Sequence, residues 1–382
     1  MDTIILDACK QENIELCAGV IRDGGLVAFG TETVYGLGAN ALSGAAVEKI
    51  FEVKGRPFDN PLIVHVASVD DVAELVSDVP DVFDVLAAKF MPGPLTLIMK
   101  KSSSIPDNVT AGLDTVAVRI PGHPAALAFL RACSCPVAAP SANPSGLPSP
   151  TKAVHVMDDI GGKIPYILDG GDCTVGLEST VLDISCDVPR ILRPGFVTFE
   201  ELRDVLGNLE NIGGLVSGGL ASGGSVNDAV GDGICAGVGV SSSVGDCGSV
   251  SDCGSVSVGG SVGSSTAPKS PGIKYRHYAP KTPLTAVVGF PDDTAKYITS
   301  RMDNDTAAIM FDDYVFSHPR VITYGNSRDY PAQASRLFDA LRNADSTGAS
   351  EIYIQTPPET GLAFAISNRI KKAAGNRIVD IN

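Results

Sequence analysis

The sequence predicts two α/β domains joined by a flexible linker, and three observations lead to that prediction. The chain has 382 residues, which is too long for one ordinary hydrophobic core. Short apolar runs alternate with helix-like apolar periodicity before residue 207 and again after residue 281. More than half of residues 213–266 are Gly or Ser. We predict an N-terminal domain over 1–206, a linker over 207–269, a basic segment over 270–281 and a C-terminal domain over 282–382.

The N-terminal region predicts a series of strands with helices between them, which is typical of an α/β domain. The apolar runs that predict strands are 25–31, 62–67, 95–100, 115–120, 137–139, 166–168, 179–184 and 190–192. The segments with helical spacing are 14–23, 44–53, 82–90, 124–131 and 152–158. A last helix follows Thr198, since Glu201 three residues later completes a capping-box pattern.

The region after residue 281 predicts a small Rossmann-like parallel α/β layer. Its predicted strands are 284–288, 307–311, 321–324 and 351–354, and its predicted helices are 333–342 and 362–372. The linker repeats the sequence DCGSVS at 246–251 and 252–257 and has no aromatic residue, Lys or Arg from 213 to 266. Such a segment cannot bury enough apolar surface to offset its ordering entropy, so we predict that it is flexible.

Composition argues against a protein that holds long stretches of nucleic acid. The formal net charge is −15, Trp is absent and aromatic residues make up 6%, whereas tight tRNA binding calls for a basic surface and stacking platforms. We expect no signal peptide and no membrane span, because no window offers about 20 apolar residues. The nine Cys residues form no C-x-x-C pair, which favours free thiols in a reducing cytoplasm over zinc or redox sites.

Two loops in the N-terminal region combine glycine with polar or cationic side chains. The loop TETVYGLG at 31–38 follows a predicted strand, and its hydroxyls and glycines suit a ligand or an ordinary tight turn equally well. In KGRPFDNPL at 54–62, Lys54 and Arg56 flank a glycine at a predicted helix end. They suit a polyphosphate or compensation of the helix dipole, and the loop leaves both interpretations open.

Two further clusters lie at strand ends. In the segment APSANPSGLPSPT at 139–151, Ser141 and Asn143 follow an apolar run and could line a nest for an anion. The same Pro- and Ser-rich composition is also typical of a low-complexity linker. GLEST at 176–180 and ILRPG at 191–195 place Ser179 and Arg193 at strand ends. Thr115, Arg119 and His65 are candidates on strands, although a lone His in an apolar strand is more often a core residue. We assign no metal to protein side chains.

The common catalytic motifs are absent from the sequence. It contains no G-x-S-x-G, no H-E-x-x-H and no G-x-x-x-x-G-K-[ST] segment. A nucleotide site would therefore be built differently and would act mainly by alignment and charge stabilisation.

Seven segments, in order, resemble the threonylcarbamoyl-AMP synthase family, also called the Sua-YrdC-YwlC family. They are TETVYGLG, KGRPFDNPL, MPGPLTLIM, VRIPGHP, APSANPSGLPSPT, GLESTVLD and ILRPG, all within residues 26–195. The segment SPGIKYRHYAP and the C-terminal α/β region resemble the longer, two-domain branch. Gly30 departs from the family pattern, which usually has proline there.

The resemblance implies an open, twisted YrdC-like α/β domain with a concave cavity. It also implies that ATP, bicarbonate and L-threonine, with Mg²⁺, give threonylcarbamoyl-AMP and pyrophosphate. That product leads, through a downstream threonylcarbamoyl transferase complex, to N6-threonylcarbamoyladenosine at tRNA position 37.

The resemblance implies that the functional residues of the family fall on the matching positions of this chain. L-Threonine contacts fall on Thr33, His65, Arg119, Ala139 and Ser179. ATP contacts fall on Lys54, Arg56, Asn60, Thr115, Ser141, Asn143, Ser149, Arg193, Tyr275, Arg276 and His277. Lys54 and Arg56 are the implied catalytic cations, and 270–281 is implied to close over the cavity. The alternative is a double-stranded RNA-binding or translation-associated module without catalysis.

Overall fold

A computed structural model describes residues 1–211 and 277–382, which form two β-sheets flanked by helices. The strands of the first sheet are β1 Ile4–Asp7, β2 Val27–Phe29, β3 Gly36–Asn40, β4 Ile63–His65, β5 Leu95–Lys100, β6 Thr115–Arg119, β7 Val137–Ala138, β8 Tyr166–Asp169, β9 Thr180–Asp183, β10 Arg190–Arg193 and β11 Glu210–Asn211. Its helices are α1 Gln11–Arg22, α2 Gly44–Lys54, α3 Val82–Phe90, α4 Asp107–Thr110, α5 Pro124–Cys133, α6 Ala153–Ile160 and α7 Phe199–Leu206.

The C-terminal region forms the second sheet. Its strands are β12 Leu284–Val288, β13 Thr306–Met310, β14 Val321–Thr323, β15 Glu351–Gln355 and β16 Ile378–Asp380. Its helices are α8 Pro291–Thr299, α9 Tyr330–Asp345 and α10 Gly361–Ala374. The strand order is β14-β13-β15-β12-β16 and every pairing is parallel, which confirms the predicted parallel layer.

The first sheet is mixed, with the order β1-β8-β2-β3-β7-β4-β6-β5-β9-β10-β11. Strands β4 and β6 are parallel neighbours, and their register pairs His65 with Arg119. Strand β2 pairs antiparallel with β3 and parallel with β8. Residues next to the ends of β2, β4 and β6 and in the chain that leads into β9 line the same cavity.

Every predicted helix and strand is present, with ends that differ by up to three residues. The Thr198 capping box forms as predicted: its hydroxyl accepts from the Glu201 amide, and the Glu201 carboxylate accepts from the Thr198 amide. Helix α9 extends beyond the predicted 333–342 because Asp329 caps it by accepting from the Ala332 amide.

Two assignments made from the sequence were wrong. The segment TETVYGLG was treated as one loop, but its second half begins β3, where Gly38 has no room for a side chain because Val137 and Phe29 pack against it. Residues 210–211 were assigned to the linker, but they pair with β10, and Glu210 forms an ion pair with Arg190. The rest of the predicted linker from residue 212, with the first part of the basic segment, lies outside the described residues.

The two sheets share one hydrophobic cluster. Val34 and Leu177 of the N-terminal region pack with Tyr278 and with the apolar faces of α9 and α10. Gly176 approaches α9 so closely that a Cβ there would lie 2.4 Å from the Ser335 Cα. Lys152 forms an ion pair with Asp339 and His155 Nε2 lies 3.1 Å from the same carboxylate, and both are polar contacts between the domains. The N-terminal loops next to β9 are therefore held by the C-terminal domain.

Within the described residues, no helix is both long and apolar enough to cross a membrane. The six described cysteines are all free thiols.

Candidate active site

A cavity with about 660 Å³ of empty space, part of it open solvent, lies beside the ends of β2, β4 and β6. The loop after β2 supplies Thr31 and Thr33, β4 supplies His65, and β6 supplies Arg119. The turn after β2 is fixed locally, because the Thr31 hydroxyl accepts from the amides of Thr33 and Val34 and donates to the Val34 carbonyl.

The cavity brings together nine of the predicted site residues. They are Thr33, Arg56, His65, Arg119, Ala139, Ser141, Ser179, Arg193 and His277. Residues predicted for ATP and residues predicted for threonine therefore line one continuous cavity.

Five predicted residues are not among those lining the cavity. They are Lys54, Asn60, Thr115, Asn143 and Ser149, and all five are buried. Thr115 starts β6, two residues before Ala117, which pairs with Ile63 of the cavity wall. The contacts with ATP predicted for these five residues remain predictions. Tyr275 and Arg276 lie outside the described residues.

Lys54 supports the Ser141 loop from behind. Helix α2 ends at Lys54 because Gly55 adopts the left-handed conformation with φ +59°. The Lys54 ammonium donates to the Ser141 carbonyl at 2.5 Å and to the Asn143 carbonyl. Burial, with the nearby Arg56 cation, holds the pKa of Lys54 well below its usual value. The predicted role of Lys54 at the phosphates stays a prediction, whereas its support of this loop is a structural fact.

Arg56 lines the cavity with its guanidinium anchored on the chain that leads into β4. Its Nη2 donates to the carbonyls of Asn60 at 3.2 Å and Pro61 at 3.0 Å. These two bonds fix the guanidinium at the cavity wall, where its planar fork suits an anionic ligand.

Arg119 is held by a carboxylate that the sequence did not single out. Its Nη2 lies 2.6 Å from Glu32 Oε1, its Nη1 donates to the Thr33 hydroxyl at 2.8 Å, and its Nε donates to the Gly93 carbonyl. Burial opposes the charge on Glu32, but the Arg119 guanidinium and backbone hydrogen bonds, chiefly from Gly122, together lower the pKa of that carboxyl. Glu32 thus fixes the orientation of Arg119 at the cavity.

Arg193 orients Ser179 from the end of β10. Its Nε and Nη2 both donate to the Ser179 carbonyl, and Nη2 also reaches the Ser179 hydroxyl at 3.0 Å. That hydroxyl lies 2.7 Å from the Thr96 hydroxyl. Burial lowers the pKa of Arg193 to about 10, so the group stays cationic at neutral pH.

His65 is a neutral imidazole in this site. Burial lowers its pKa to about 3, and the Arg119 cation adds to the shift. Nδ1 lies 3.2 Å from the Ile63 carbonyl, which can only accept, so Nδ1 carries the proton and Nε2 is the acceptor.

Acid should therefore destabilise the fold through His65. Between pH 6.5 and about 3 the unfolded chain binds a proton at His65 that the folded chain does not, so stability falls as pH falls. Lowering the pH from 6.5 to 5 should cost about 2 kcal/mol from this residue alone. Urea unfolding of the wild type and of His65→Gln at both pH values measures it. The variant should lose about 2 kcal/mol less, and equal losses in the two proteins would contradict this account.

The site also contains residues that the sequence did not predict as ligands. Glu178 and Tyr278 line the cavity. Tyr278 has φ +65°, an uncommon conformation for a side chain other than glycine, and its ring stacks on Phe338 with centroids 5.4 Å apart. Burial, with a smaller contribution from Arg56, lowers the pKa of His277 to about 4. The sequence signal for these two residues is that each is next to a predicted ligand: Glu178 precedes Ser179, and Tyr278 follows His277.

The described residues contain no group of three His, Cys, Asp or Glu side chains that could hold a metal ion. The cavity instead collects guanidinium groups, hydroxyls, the imidazoles of His65 and His277 and the carboxylate of Glu178. The fold and this site define an α/β protein with a cavity lined by cations and hydroxyls, which are side chains that suit an anionic ligand.

Comparison with known proteins shows which family of α/β proteins this chain belongs to. Residues 19–195 match the Sua5, YciO and YrdC family, described as telomere recombination, and residues 197–375 match the C-terminal domain of threonylcarbamoyl-AMP synthase. The threonylcarbamoyl-AMP synthase of Pyrococcus abyssi is 39% identical over 99% of this chain and 100% of its own length. That of Bacillus subtilis is 38% identical over 97% of this chain and 95% of its own length. The chain belongs to the threonylcarbamoyl-AMP synthase family.

A solved structure agrees with this relationship over the whole chain. The crystal structure of P. abyssi Sua5 complexed with L-threonine has a TM-score of 0.80 and 36% identity, and covers 100% of both chains.

Proposed function

We propose that this chain is a nucleotidyltransferase that converts L-threonine, bicarbonate and ATP into threonylcarbamoyl-AMP and pyrophosphate. The observation that carries the proposal is the single cavity lined by both predicted sets of residues. The likeness of the whole chain to the P. abyssi Sua5 structure solved with L-threonine supports the threonine part of the proposal. The alternative, an RNA-binding module without catalysis, is not favoured, because the full-length relatives are named as synthases.

The threonine half of the cavity needs a cation and a hydrogen-bond acceptor. The threonine amine and bicarbonate first give a carbamate and water. Arg119, oriented by Glu32, suits the amino acid carboxylate, since guanidinium pairs strongly with carboxylates. The neutral His65, with Nε2 as acceptor, suits the threonine hydroxyl or the carbamate N–H.

The nucleotide half must stabilise charge that moves onto phosphate oxygens. A carbamate oxygen attacks the α-phosphorus, the bond from that phosphorus to the bridging oxygen of the β-phosphate breaks, and pyrophosphate leaves. Arg56 and Arg193 line the cavity as buried cations, and cations fixed before the reaction lower such barriers without reorganisation. Ser141, held through Lys54, offers a hydroxyl and a backbone amide at the same wall.

Magnesium ions commonly accompany ATP as ligands of its phosphates. The described residues offer no carboxylate cluster for a metal, and Glu178 already accepts bonds from Ser149 and Arg369. Mg²⁺ would therefore be held by the phosphates and would supply charge neutralisation there.

We further propose that the adenylate passes to a separate threonylcarbamoyl transferase complex that modifies tRNA. The net charge of −15 supports weak rather than tight binding of tRNA by this chain, because phosphate contacts dominate such affinities.

The direct test combines the purified protein with ATP, bicarbonate and threonine. Pyrophosphate release should require both threonine and bicarbonate, and mass spectrometry should detect the threonylcarbamoyl adenylate. Arg119→Met should raise KM for threonine by at least about tenfold, because it removes a charged hydrogen-bond partner. The KM for ATP should change much less.

Arg131→Met is the matched control, since Arg131 is an exposed residue on α5, and both KM values should stay near those of the wild type. Pyrophosphate release that ignores threonine would refute the proposal. Salt-sensitive RNA binding without ATP turnover would favour the non-catalytic alternative.

A further inference from the structure

One buried ion pair links the C-terminal domain to the wall of the cavity. Arg369 on α10 is 0% exposed, and its Nε lies 3.0 Å from Oε2 of Glu178. Glu178 lines the cavity in the segment that leads into β9. Burying an arginine is costly unless nearby groups compensate its charge. Glu178 supplies that compensation for Arg369.

Glu178 transmits this contact to a loop predicted to bind ATP. Its second oxygen, Oε1, accepts a 2.6 Å hydrogen bond from the Ser149 hydroxyl. The carboxylate therefore ties the 139–151 loop to the chain before β9, and Arg369 fixes the orientation of that carboxylate. Burial opposes the charge on Glu178, but Arg369 and then Arg193 outweigh it and lower the pKa of this carboxyl.

Arg369 also contacts the segment before β12. Its guanidinium carbon lies 5.6 Å from the centre of the Tyr278 ring, a cation–π distance, and Tyr278 lines the cavity. Within the described residues, its Nη2 is buried and has no hydrogen-bond partner. The same side chain thus contacts two parts of the cavity wall, one from the N-terminal region and one from the segment before β12.

The charges at this wall depend on Arg369. Arg193 lies close enough to Arg369 for their charges to interact, and burial together with Arg369 lowers the pKa of Lys372 to about 8. Glu178 is the carboxylate on the cavity lining. Without Arg369, its negative charge would be less compensated beside a bound triphosphate and would repel it.

We propose that Arg369 is a positioning residue, supplied by the C-terminal domain, which neutralises and orients Glu178 so that the cavity can hold the ATP triphosphate. The proposal rests on the proposed function, and it makes the C-terminal domain a part of the nucleotide site. Arg369 acts through Glu178 and is not itself a ligand.

Two single variants test this by breaking the same ion pair with opposite changes in charge. Arg369→Met leaves a bare carboxylate in the wall, and KM for ATP should rise by at least about tenfold. Glu178→Gln leaves a bare cation while an amide oxygen can still accept from Ser149, and KM for ATP should rise much less than in Arg369→Met. KM for threonine should change less than about threefold in both, as the contacts of Arg119 are untouched.

The double variant Glu178→Gln/Arg369→Met removes both charges and keeps the test valid if Arg369→Met does not fold. Replacement of a buried pair by neutral groups is often tolerated, and KM for ATP should return to within about threefold of the wild type. A double variant with KM raised about tenfold or more would overturn the proposal, because Arg369 would then act independently of Glu178.

Asp339→Asn is the control for domain docking, since Asp339 pairs with Lys152 and His155 across the same interface but lies outside the cavity lining. It should lower the melting temperature without changing KM for ATP. Equal increases in KM for Arg369→Met, Glu178→Gln and Asp339→Asn would overturn the proposal and assign the pair to docking alone. Threonine-dependent pyrophosphate release by the wild type tests the proposed function separately, so the two failures are distinguishable.

Discussion

Replacement of Lys54 by methionine should reduce kcat/KM for threonine-dependent pyrophosphate release by about 10²-fold, because small displacements of positioning groups have effects of this size. The Lys54 ammonium donates to the carbonyls of Ser141 and Asn143, and methionine cannot replace either bond. Two buried carbonyls would lose their donor, so the free energy of unfolding should also fall by about 2–4 kcal/mol. Steady-state kinetics and urea unfolding measure the two effects.

Lys49→Met provides the matched control, since Lys49 lies on the same helix and is exposed. Its kinetics and stability should stay close to those of the wild type. Wild-type kinetics in Lys54→Met would show that the 139–151 loop does not need this support and would refute the role given to Lys54.

Substitution of Gly176 by alanine should separate the C-terminal domain from its docking site. A Cβ at this position would lie 2.4 Å from the Ser335 Cα and 2.7 Å from the Ser335 carbonyl oxygen, both in the backbone of α9. Backbone atoms of a packed helix cannot yield as a flexible side chain can, so the helix must shift. Glu178, two residues away, would lose its alignment with Arg369, and pyrophosphate release should fall by at least about tenfold.

The cost of the left-handed conformation must be separated from the clash. Gly176 has φ +69° and Gly348 has φ +71°, but a Cβ on Gly348 would meet nothing within 4 Å. Gly348→Ala therefore carries only the conformational cost of about 1–2 kcal/mol and should retain activity. Hydrogen exchange should show α9 deprotected in Gly176→Ala and not in Gly348→Ala. Equal activity and equal protection of α9 in the two variants would show that the close approach of Gly176 to α9 is not needed for docking or activity.

The sequence predicted the regular elements well because apolar periodicity reports which face of each element is buried. It missed short or atypical elements for identifiable reasons. Strand β1 keeps Ile4 and Ile5 exposed and pairs only with β8, so its pattern resembles a surface segment. Helix α8 begins with proline and two aspartates. These residues are common in turns, so the sequence alone did not indicate a helix here.

The site was predicted unevenly for a similar reason. Local motifs identified Arg56, Ser141 and Arg193 because cations and hydroxyls stood at strand or helix ends. Glu32 was missed because its role depends on Arg119, 87 residues away. Arg369 was missed because nothing local distinguishes it from an ordinary helix arginine, and its partner Glu178 lies 191 residues away.

The sequence by itself determined the two α/β layers, the family resemblance and half of the residues that line the cavity, because each of these is encoded in residues close together along the chain. Only the tertiary structure decided that Lys54 supports a loop, that Glu32 orients Arg119, and that Arg369 of the C-terminal domain reaches the cavity wall. Charge compensation and close packing act between groups that meet through folding, and their energies depend on burial that no local pattern specifies.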